Sequence, residues 1–378
     1  MRKAMHMILL ALLLAIPLAA KDIEEEKLEA TPGGLLEVDL ETGGSLEITG
    51  WGEPFVLVRA RPTGGAGDDQ EIIIEKTDEG VRIEAESTKG WGRHHRSGGY
   101  DVEINVPSVY DLELETMGGS ITVSNVEGDL EGETMGGDIR LSGLKGHIEF
   151  ETMGGSITLE NSEVDGEIET MGGEVIVENV VGDVDGSSMG GKVIYKNVTR
   201  RSGGATGKAV IISTMGGEIE IESAPAGAKL ETMGGEIIVG SAGKFVEAET
   251  MGGDIVIGSV DGWVKAETMG GDVKVTLVGD PQAGDRDIKL SSMGGEIHLT
   301  VPRNFSMNVD VEISYDAKSK RVPEIVSDFP LTIEKSEGET SFWRGRGSAV
   351  RGSGSFNGGT NTVEIETVGG NVYLKQAG

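Results

Sequence analysis

Methionine is the residue whose spacing in this chain most directly suggests chemistry. The tripeptide Met-Gly-Gly takes ten of the fourteen methionines. They are Met117, Met135, Met153, Met171, Met189, Met215, Met233, Met251, Met269 and Met293. A column of thioethers could bind Cu(I), which favours soft sulfur ligands. However, copper sites usually group Met with His or Cys, and cysteine is absent. Because methionine fills irregular gaps in protein cores, we expect the column to pack inside a corner of the fold.

Carboxylates flank each Met-Gly-Gly on both sides. With Met as position 0, Glu stands at −2 in seven copies, and Asp or Glu stands at +3 in seven. Carboxylate oxygens are the ligands that Ca²⁺ prefers, and stacked like charges repel by about 1 kcal/mol even in water. We therefore expect either a solvated outer face or weak, non-selective binding of Ca²⁺ or Mg²⁺, with no other cofactor. The candidate residues are Glu133, Asp138, Glu151, Glu169, Glu174, Glu231, Glu236, Glu249 and Asp254.

Two clusters of basic residues are candidate sites. Arg93-His94-His95-Arg96 could bind a metal or an anion, although two adjacent histidines alone favour an exposed loop. Arg344, Arg346 and Arg351 lie in a Gly/Ser-rich stretch and could bind an anionic envelope polymer.

Catalysis requires a unique cluster of carboxylates, or a base with an Arg or Lys, in one groove. Here the carboxylates recur from copy to copy, which builds a surface rather than a site. The insertion Thr199–Thr206 contains no carboxylate. We therefore expect a protein that is not an enzyme, with a carbohydrate-active parallel β-helix enzyme (a polysaccharide lyase or hydrolase) as the alternative.

The elements that hold these columns follow from the repeat. The sequence numbers of successive methionines differ by 18, except for intervals of 26 and 24 that carry insertions at 199–206 and 279–286. A fixed period of this length indicates a solenoid. Positions +4 and +6 are apolar in all ten copies, and a second alternating pair follows at +13 and +15 (−5 and −3 of the next copy). This period of two, with β-branched residues, predicts two short strands and two turns in every copy of the repeat.

The pattern predicts an all-β, single-stranded parallel β-solenoid, β-helix-like or β-roll-like. Equivalent strands should stack about 4.8 Å apart, so ten coils span roughly 48 Å. We expect right-handed coils, since parallel crossovers are nearly always right-handed. The Gly-Gly pair should supply φ > 0 at the corner.

The two ends differ from the repeat. Alternating strands are expected between Leu36 and Val106, with Trp51–Phe55 as a turn, and again at Asn308–Ser314 and Leu331–Glu334. Thr367-Val-Gly-Gly370 is a degenerate copy of the repeat. The predicted organisation is a signal peptide (1–20), an acidic linker (21–33), an N-terminal β cap (34–110), the solenoid (111–301), and a C-terminal β cap with a Gly/Ser/Arg loop (302–378).

Composition and the N-terminus bear on location. Arg2 and Lys3 precede an apolar run that ends in Leu18-Ala19-Ala20, which is typical of a signal peptide cleaved after Ala19 or Ala20. The run is about 13 residues, short of the ~20 that a membrane span needs, and no later segment is apolar enough to span. We thus expect an exported chain, in the periplasm or at the cell surface. The net charge of −31 argues against a nucleic-acid partner.

Several stretches together resemble a known family. Leu46-Glu-Ile-Thr-Gly-Trp51-Gly-Glu, Val106-Pro107 leading into Leu112–Ile121, and Ser327–Thr332 are similar to segments of the DUF4097 "putative adhesin" β-strand-repeat family. Where many members have Asn-Gly at the corner, this chain has Met-Gly-Gly. The resemblance implies an exported β-solenoid that serves as a structural or interaction (adhesin-like) module at the cell envelope. Its partner would be an envelope protein or polymer, and no catalytic residues are implied.

Overall fold

The structure is a computed structural model that describes residues 24–63, 70–87, 98–199, 208–282, 285–316, 321–340 and 347–378. The expected signal peptide, the His-His cluster at 93–96, most of the 199–206 insertion, Arg344 and Arg346 lie outside these residues. Thirty-one strands occur in the described chain, and no helix does, so none that could span a bilayer is found there. The fold is a parallel β-solenoid, as the repeat predicts; its handedness stays a prediction.

Each coil consists of one strand that runs into the Met-Gly-Gly corner and one that leaves it. We call the two parallel sheets that these strands form the entry sheet and the exit sheet. Over the ten repeats the strands are β8 (Asp111–Thr116), β9 (Ile121–Ser124), β10 (Glu127–Thr134), β11 (Ile139–Ser142), β12 (Lys145–Thr152), β13 (Ile157–Glu160), β14 (Glu163–Thr170), β15 (Val175–Val181), β16 (Val184–Ser188), β17 (Val193–Thr199), β18 (Val210–Thr214), β19 (Ile219–Ala224), β20 (Ala228–Thr232), β21 (Ile237–Thr250), β22 (Ile255–Thr268), β23 (Val273–Leu277), β24 (Ile288–Ser292) and β25 (Ile297–Val301). The long strands β21 and β22 bend from the exit sheet of one coil into the entry sheet of the next.

The strands stack in the register that the repeat sets. Ile157 pairs with Ile139 in the coil before it and with Val175 in the coil after it, and all three stand at position +4. All ten residues at +4 and all ten at +6 are buried, with exposed fractions of 2% or less. The apolar faces of the two sheets therefore enclose one continuous core, which confirms the predicted alternation.

The Met-Gly-Gly corner is filled by threonine, not by methionine. The residue at −1, Thr in eight coils and Ser in two, is buried in every coil, whereas the ten methionines are 44–53% exposed. Because alternation along the entry strand turns −5, −3 and −1 inward, the next residue, at position 0, projects outward. The expectation that methionine packs inside the corner was therefore wrong.

The buried hydroxyl satisfies the backbone of the corner. Thr170 Oγ1 donates to Gly155 O of the preceding coil (2.7 Å) and accepts from the amide of Gly173 (3.2 Å). Equivalent bonds recur along the column, for example from Thr152 to Gly137 O and from Thr232 to Gly217 O. Each coil is thus tied to the previous one at this corner.

The two glycines of the corner have different roles, and neither has the positive φ that was expected. A Cβ on the second glycine would lie 1.7–2.1 Å from a carbonyl oxygen of the coil before it, as at Gly155 against Gly137 O (2.0 Å). A Cβ on the first glycine would meet nothing closer than 3.4 Å. Close stacking of backbones, rather than a left-handed conformation, requires the second glycine.

Positive φ occurs instead at the opposite corner. Asn125, Asn161, Asn179 and Asn197, all at position +8, have φ between 50° and 59°. Asn tolerates this region better than other residues with a Cβ. Asn161, Asn179 and Asn197, in successive coils, form a ladder in which Asn197 Nδ2 donates to Asn179 Oδ1 at 2.7 Å.

At the N-terminal end the parallel stacking continues below the first repeat. The strands there are β1 (Glu24–Glu29), β2 (Leu35–Leu40), β3 (Leu46–Trp51), β4 (Phe55–Pro62), β5 (Gln70–Lys76), β6 (Gly80–Ser87) and β7 (Tyr100–Pro107). Strands β2 and β3 form a coil that stacks on β8 and β9, and β6 and β7 form a further one. Parallel stacking is therefore not confined to 111–301; the domain boundaries themselves stay a prediction.

The acidic segment 21–33 contains a strand, so describing it as a linker was wrong. Strand β1 pairs antiparallel with β4 along its whole length. Leu28 packs against the core, Lys27 Nζ lies 3.6 Å from the centre of the Phe55 ring, and Arg59 binds Glu25. These tertiary contacts offset the mutual repulsion of the glutamates. The strand propensity of the segment does not predict such contacts.

The C-terminal end repeats this arrangement with β26 (Met307–Asp316), β27 (Ile325–Ser327), β28 (Thr332–Thr340), β29 (Gly347–Phe356), β30 (Asn361–Val368) and β31 (Val372–Gln376). Strands β30 and β31 stack directly on β24 and β25. Thr367 Oγ1 donates to Gly295 O, and Gly370 lies against that carbonyl. The degenerate copy therefore occupies a full coil, with β26 and β27 stacked beyond it.

The expected Gly/Ser/Arg loop is mostly a strand, which corrects the prediction for 347–355. Strand β29 pairs antiparallel with β26 on one side and with β28 on the other. A Cβ at Gly352 would lie 2.9 Å from the Ile325 side chain, and one at Gly354 2.7 Å from the Phe356 ring. Glycine here makes room for neighbouring side chains, so pairing on both edges overrides its low strand propensity.

Candidate functional site: the acidic face

Eight glutamates occupy the outer side of the entry sheet in the first four coils. They stand at −4 and −2, and we call them the acidic face: Glu113, Glu115, Glu131, Glu133, Glu149, Glu151, Glu167 and Glu169. They point outward because their neighbours at −5, −3 and −1 face the core. The register places identical charges beside one another, Glu131 next to Glu149 and Glu133 next to Glu151.

None of the eight forms a salt bridge within the described part of the chain. Six of them, Glu113 to Glu151, line an open groove of about 520 Å³ that extends to Glu37, Asp39 and Glu84. At that end Arg82 binds Glu37 through two hydrogen bonds of 3.0 and 3.1 Å. The acidic face is therefore bounded by a cation at its N-terminal end and carries uncompensated charge along its length.

The electrostatics of the face shift two of its carboxyl groups. Partial burial raises the pKa of Glu151, and the nearby carboxylates Glu169, Glu133 and Glu149 add to the rise. The pKa of Glu167 is also raised, first by burial and then by a hydrogen bond with Glu169 and its charge. Both shifts mean that the face holds protons more tightly than isolated glutamates do.

The nine predicted cation candidates occupy two columns, one on each side of the Met-Gly-Gly corner. Glu133, Glu151 and Glu169 lie together on the acidic face, whereas Glu231 and Glu249 lie farther along the same sheet. The remaining four stand at +3, across the exposed methionines, where the exit sheet begins: Asp138, Glu174, Glu236 and Asp254. Among the described residues no group of three or more His, Asp or Glu side chains could hold a metal ion.

Other contacts occupy several of these carboxylates. Asp138 binds Arg140 at 2.8 Å, and Asp254 Oδ1 accepts from the amide of Asp272 at 2.7 Å. Burial, followed by the charges of Asp254 and Glu218, raises the pKa of Glu236. The +3 column therefore serves partly as a backbone cap from one coil to the next.

Lysines replace carboxylates at two positions of the repeat, +3 and −4, in the coils after the fourth. Lys192 stands in the +3 column and binds Glu218 and Glu220 at 2.8 and 2.9 Å. Lys265 stands in the −4 column and contacts Glu247, Glu249 and Glu267. Among the ten Met-Gly-Gly coils, glutamates at both −4 and −2 without a salt bridge to a described residue are consequently confined to the first four.

The −4 column is the part of the site that the sequence analysis missed. Its signal was present, because −5 and −3 had been assigned to the core and −4 must then lie outside beside −2.

Of the basic candidates, only Arg351 lies in the described chain, where it is exposed and binds Glu312 at 3.1 Å. It therefore already has an anionic partner within the protein.

The family model described as Toastrack DUF4097 matches residues 55–375. This chain belongs to the Toastrack DUF4097 family. The match spans both the solenoid and most of the two ends, so the Toastrack assignment covers the acidic face as well as the Met-Gly-Gly corner.

Solved structures with some similarity to this Toastrack chain come from several bacteria. A "putative cell adhesion protein" from Clostridium sporogenes ATCC 15579 is 12% identical, over 94% of this chain and 100% of that one, with a TM-score of 0.20. A "putative adhesin" from Parabacteroides merdae ATCC 43184 is 12% identical, over 68% and 97%, with a TM-score of 0.37. A "putative lipid binding protein" from Parabacteroides distasonis ATCC 8503 is 15% identical, over 68% and 98%, with a TM-score of 0.35. These similarities are low and bear on neither the site nor the function. No curated protein matches the Toastrack chain.

Proposed function

We propose that this protein is an exported, non-enzymatic β-solenoid that acts as an adhesin-like interaction module at the cell envelope. The observation that carries the proposal is the acidic face. Eight glutamates on a rigid sheet, with no salt bridge among the described residues, form a surface that a cationic partner would complete. An envelope protein or polymer with a basic surface fits this chemistry.

The rigidity of the solenoid supports a binding role. Backbone hydrogen bonds and buried threonine hydroxyls hold each coil to the next, so the backbone positions of the glutamates are set before a partner arrives. A preorganised surface loses less conformational entropy on binding than a mobile one. Complementary charge also speeds association and favours the correct partner.

The repetition of the face supports a role without catalysis. A catalytic site needs groups whose environments differ, such as an acid and a base with separated pKa values. Here neighbouring coils present the same glutamates in the same register. Such a ladder can bind along its length, but it offers no unique position for a reacting atom.

We also propose that the acidic face, with the flanking candidates Glu174, Glu231, Glu236, Glu249 and Asp254, attracts Ca²⁺ or Mg²⁺ weakly and without selectivity. Carboxylates alone, spread along a sheet, attract divalent ions by charge rather than by enclosing them. Such ions would compete with a cationic partner, and this competition predicts that binding to the envelope is sensitive to salt.

The decisive experiment measures binding of the purified chain, lacking residues 1–20, to isolated cell envelopes by co-sedimentation. The variant Glu131→Lys/Glu149→Lys reverses charge on the acidic face. The matched control, Glu160→Lys/Glu178→Lys, makes the same change on two exposed glutamates of the exit sheet. We expect at least a tenfold loss of binding for the first variant and wild-type binding for the second.

Equal losses for the two variants would show that net charge alone matters, and unchanged binding for both would remove the acidic face from the proposal. Depolymerisation of an envelope polysaccharide by the wild-type chain would favour the enzymatic alternative.

Export has its own test. When the full chain is expressed in a bacterium, the N-terminus of the accumulated protein should be Ala20 or Lys21 by mass spectrometry, and the protein should fractionate outside the cytoplasm. A chain that retains Met1 and stays in the cytoplasm would contradict the proposal.

A further inference from the structure

The exposed methionines form an unusual surface for a protein of this charge. Each of the ten side chains in the repeat leaves about half of its area in water, whereas Met307, outside the repeat, is fully buried. Single exposed apolar residues are normal, but a contiguous apolar patch marks a binding surface. The corner itself does not need methionine, because the buried Thr or Ser at −1 fills its interior.

Three of the methionines share a cleft with the acidic face. The cleft has a volume of about 120 Å³ and lies between the columns at −2 and 0, with lining residues from four successive coils. Its functional side chains are three thioethers and three carboxylates: Met153, Met171, Met189, Glu133, Glu151 and Glu169. Soft sulfur ligands and negative charge are thus held side by side.

The spacing of the coils suits a soft ion. Neighbouring methionines arise from strands about 4.8 Å apart. A metal–sulfur bond is about 2.3 Å long, as in thiolate sites. Two sulfurs that bind one ion between them are therefore separated by up to about twice that distance. Thioether ligands select Cu(I) over hard cations such as Ca²⁺ and Mg²⁺. The negative charge of the adjacent carboxylates would stabilise the bound cation.

The other end of the methionine column provides a natural comparison. Met233, Met251 and Met269 have the same spacing and a similar exposure. There, however, Lys265 contacts both Glu249 and Glu267 beside them. Lys265 offsets part of the negative charge next to those thioethers, which makes a bound cation less favourable there than beside Met153, Met171 and Met189.

We propose that neighbouring members of the set Met153, Met171 and Met189 bind a soft monovalent metal ion, Cu(I) or Ag(I), between their sulfurs, with the −2 glutamates beside them. The site is separate from the envelope-binding role. Replacing methionine with leucine leaves every charge of the acidic face in place, so the two proposals can fail independently.

The experiment titrates the chain lacking residues 1–20 with Ag(I) in a chloride-free buffer and with Cu(I) against a chromogenic chelator. It is followed by NMR of ¹³C-labelled methionine methyl groups. The test variant is Met153→Leu/Met171→Leu/Met189→Leu, and the matched control is Met233→Leu/Met251→Leu/Met269→Leu. Leucine keeps the apolar column and is tolerated in place of methionine, and thermal denaturation checks that both variants remain folded.

We expect the test variant to lose at least 100-fold in Ag(I) affinity and the control to keep the wild-type value. The methyl signals of Met153, Met171 and Met189 should shift first, and an excess of Mg²⁺ should not displace the ion. Equal affinity in the wild type and the test variant would overturn the proposal. The proposal would also be overturned if Glu133→Gln/Glu151→Gln/Glu169→Gln lost binding and the leucine variant did not, because carboxylates alone would then hold the ion.

Discussion

Four consecutive residues of the repeat each meet a different physical demand. The Thr at −1 is buried and bonds the backbone of the preceding coil, the Met at 0 faces solvent, the first glycine borders open space, and the second lies against a carbonyl oxygen. The four residues of Thr-Met-Gly-Gly therefore recur along the chain for different physical reasons. Substitutions at adjacent positions should have very different costs.

The two glycines provide a matched pair. A Cβ at Gly155 would lie 2.0 Å from Gly137 O, whereas one at Gly154 would meet no atom closer than 3.7 Å. We expect Gly155→Ala to destabilise the protein by about 1–3 kcal/mol or more, because the backbones of two coils must separate. Gly154→Ala should change the free energy of unfolding by less than about 0.5 kcal/mol. Urea denaturation of both variants measures the difference, and similar costs would contradict the stacking explanation.

Methionine gives a second pair. Met171 is 50% exposed and Met307 is fully buried. We expect Met307→Ala to cost about 2–5 kcal/mol, as for other large-to-small changes in cores. Met171→Ala should cost less than about 1 kcal/mol, because little area returns to water. The midpoints of thermal denaturation compare the two, and a larger loss for Met171→Ala would show that the methionine column packs more tightly than its exposure indicates.

Within each strand, alternation separates core from surface residue by residue. Ile157 is fully buried between Ile139 and Val175, while its neighbour Thr158 faces outward. Ile157→Asp should cost at least about 3 kcal/mol, because it places a carboxyl group in the core. Thr158→Asp should cost under about 1 kcal/mol, as surface substitutions usually do. Equal shifts of the thermal midpoint for the two variants would overturn the register.

At the ends of the solenoid, strands β1, β5 and β28, which pair antiparallel, and the short parallel strand β27 cover the last coils. The outermost strands are β1 and β5 at one end and β27 and β28 at the other. Strand β1 is almost entirely charged, and β27 has only three residues. Charged or very short edge strands discourage pairing with another chain. The repeat can therefore expose its faces without also inviting end-to-end growth.

For the molecule as a whole, stacked glutamates make stability depend on pH. The raised pKa values of Glu151 and Glu167 mean that the folded chain binds protons more tightly than the unfolded chain. Their contribution to stability is present below the ordinary value of 4.5 and is lost as pH rises through their folded pKa values. Glu151→Gln/Glu167→Gln should raise the melting temperature at pH 7 and flatten its decline above pH 4.5. Glu160→Gln/Glu178→Gln is the control, and an equal rise in both variants would point to net charge instead.

Cations should act on the same repulsion. About 5–10 mM Ca²⁺ or Mg²⁺ should raise the melting temperature at pH 7 to a similar extent, because ions that bind the folded state stabilise it by mass action. Monovalent salt should give part of the effect by screening. The rise should be smaller in Glu151→Gln/Glu167→Gln. If Ca²⁺ leaves the wild type unchanged, cation binding by the acidic face is refuted.

The pattern along the chain is enough to derive the coil. A fixed period with apolar residues at +4 and +6 admits only a stack of short parallel strands, since alternation fixes which side chains face inward. It also placed the degenerate copy at 367–370 and the turn after Trp51 correctly. These features are local, or recur at a fixed interval, so they can be read along the chain.

How neighbouring chain segments meet cannot be derived from the pattern and follows from the folded structure. Whether the methionine or the threonine fills the corner depends on where the entry strand ends, and the role of the second glycine depends on a carbonyl oxygen of the preceding coil. Strands β1 and β29 form because partners distant in sequence pair with them. This pairing overcomes the repulsion of the glutamates in β1 and the flexibility of the glycines in β29. The acidic face emerges for the same reason, because stacking brings eight glutamates together. Arg82 binds Glu37 at one end and Lys265 contacts glutamates of later coils, and none of the described basic residues forms a salt bridge with the eight.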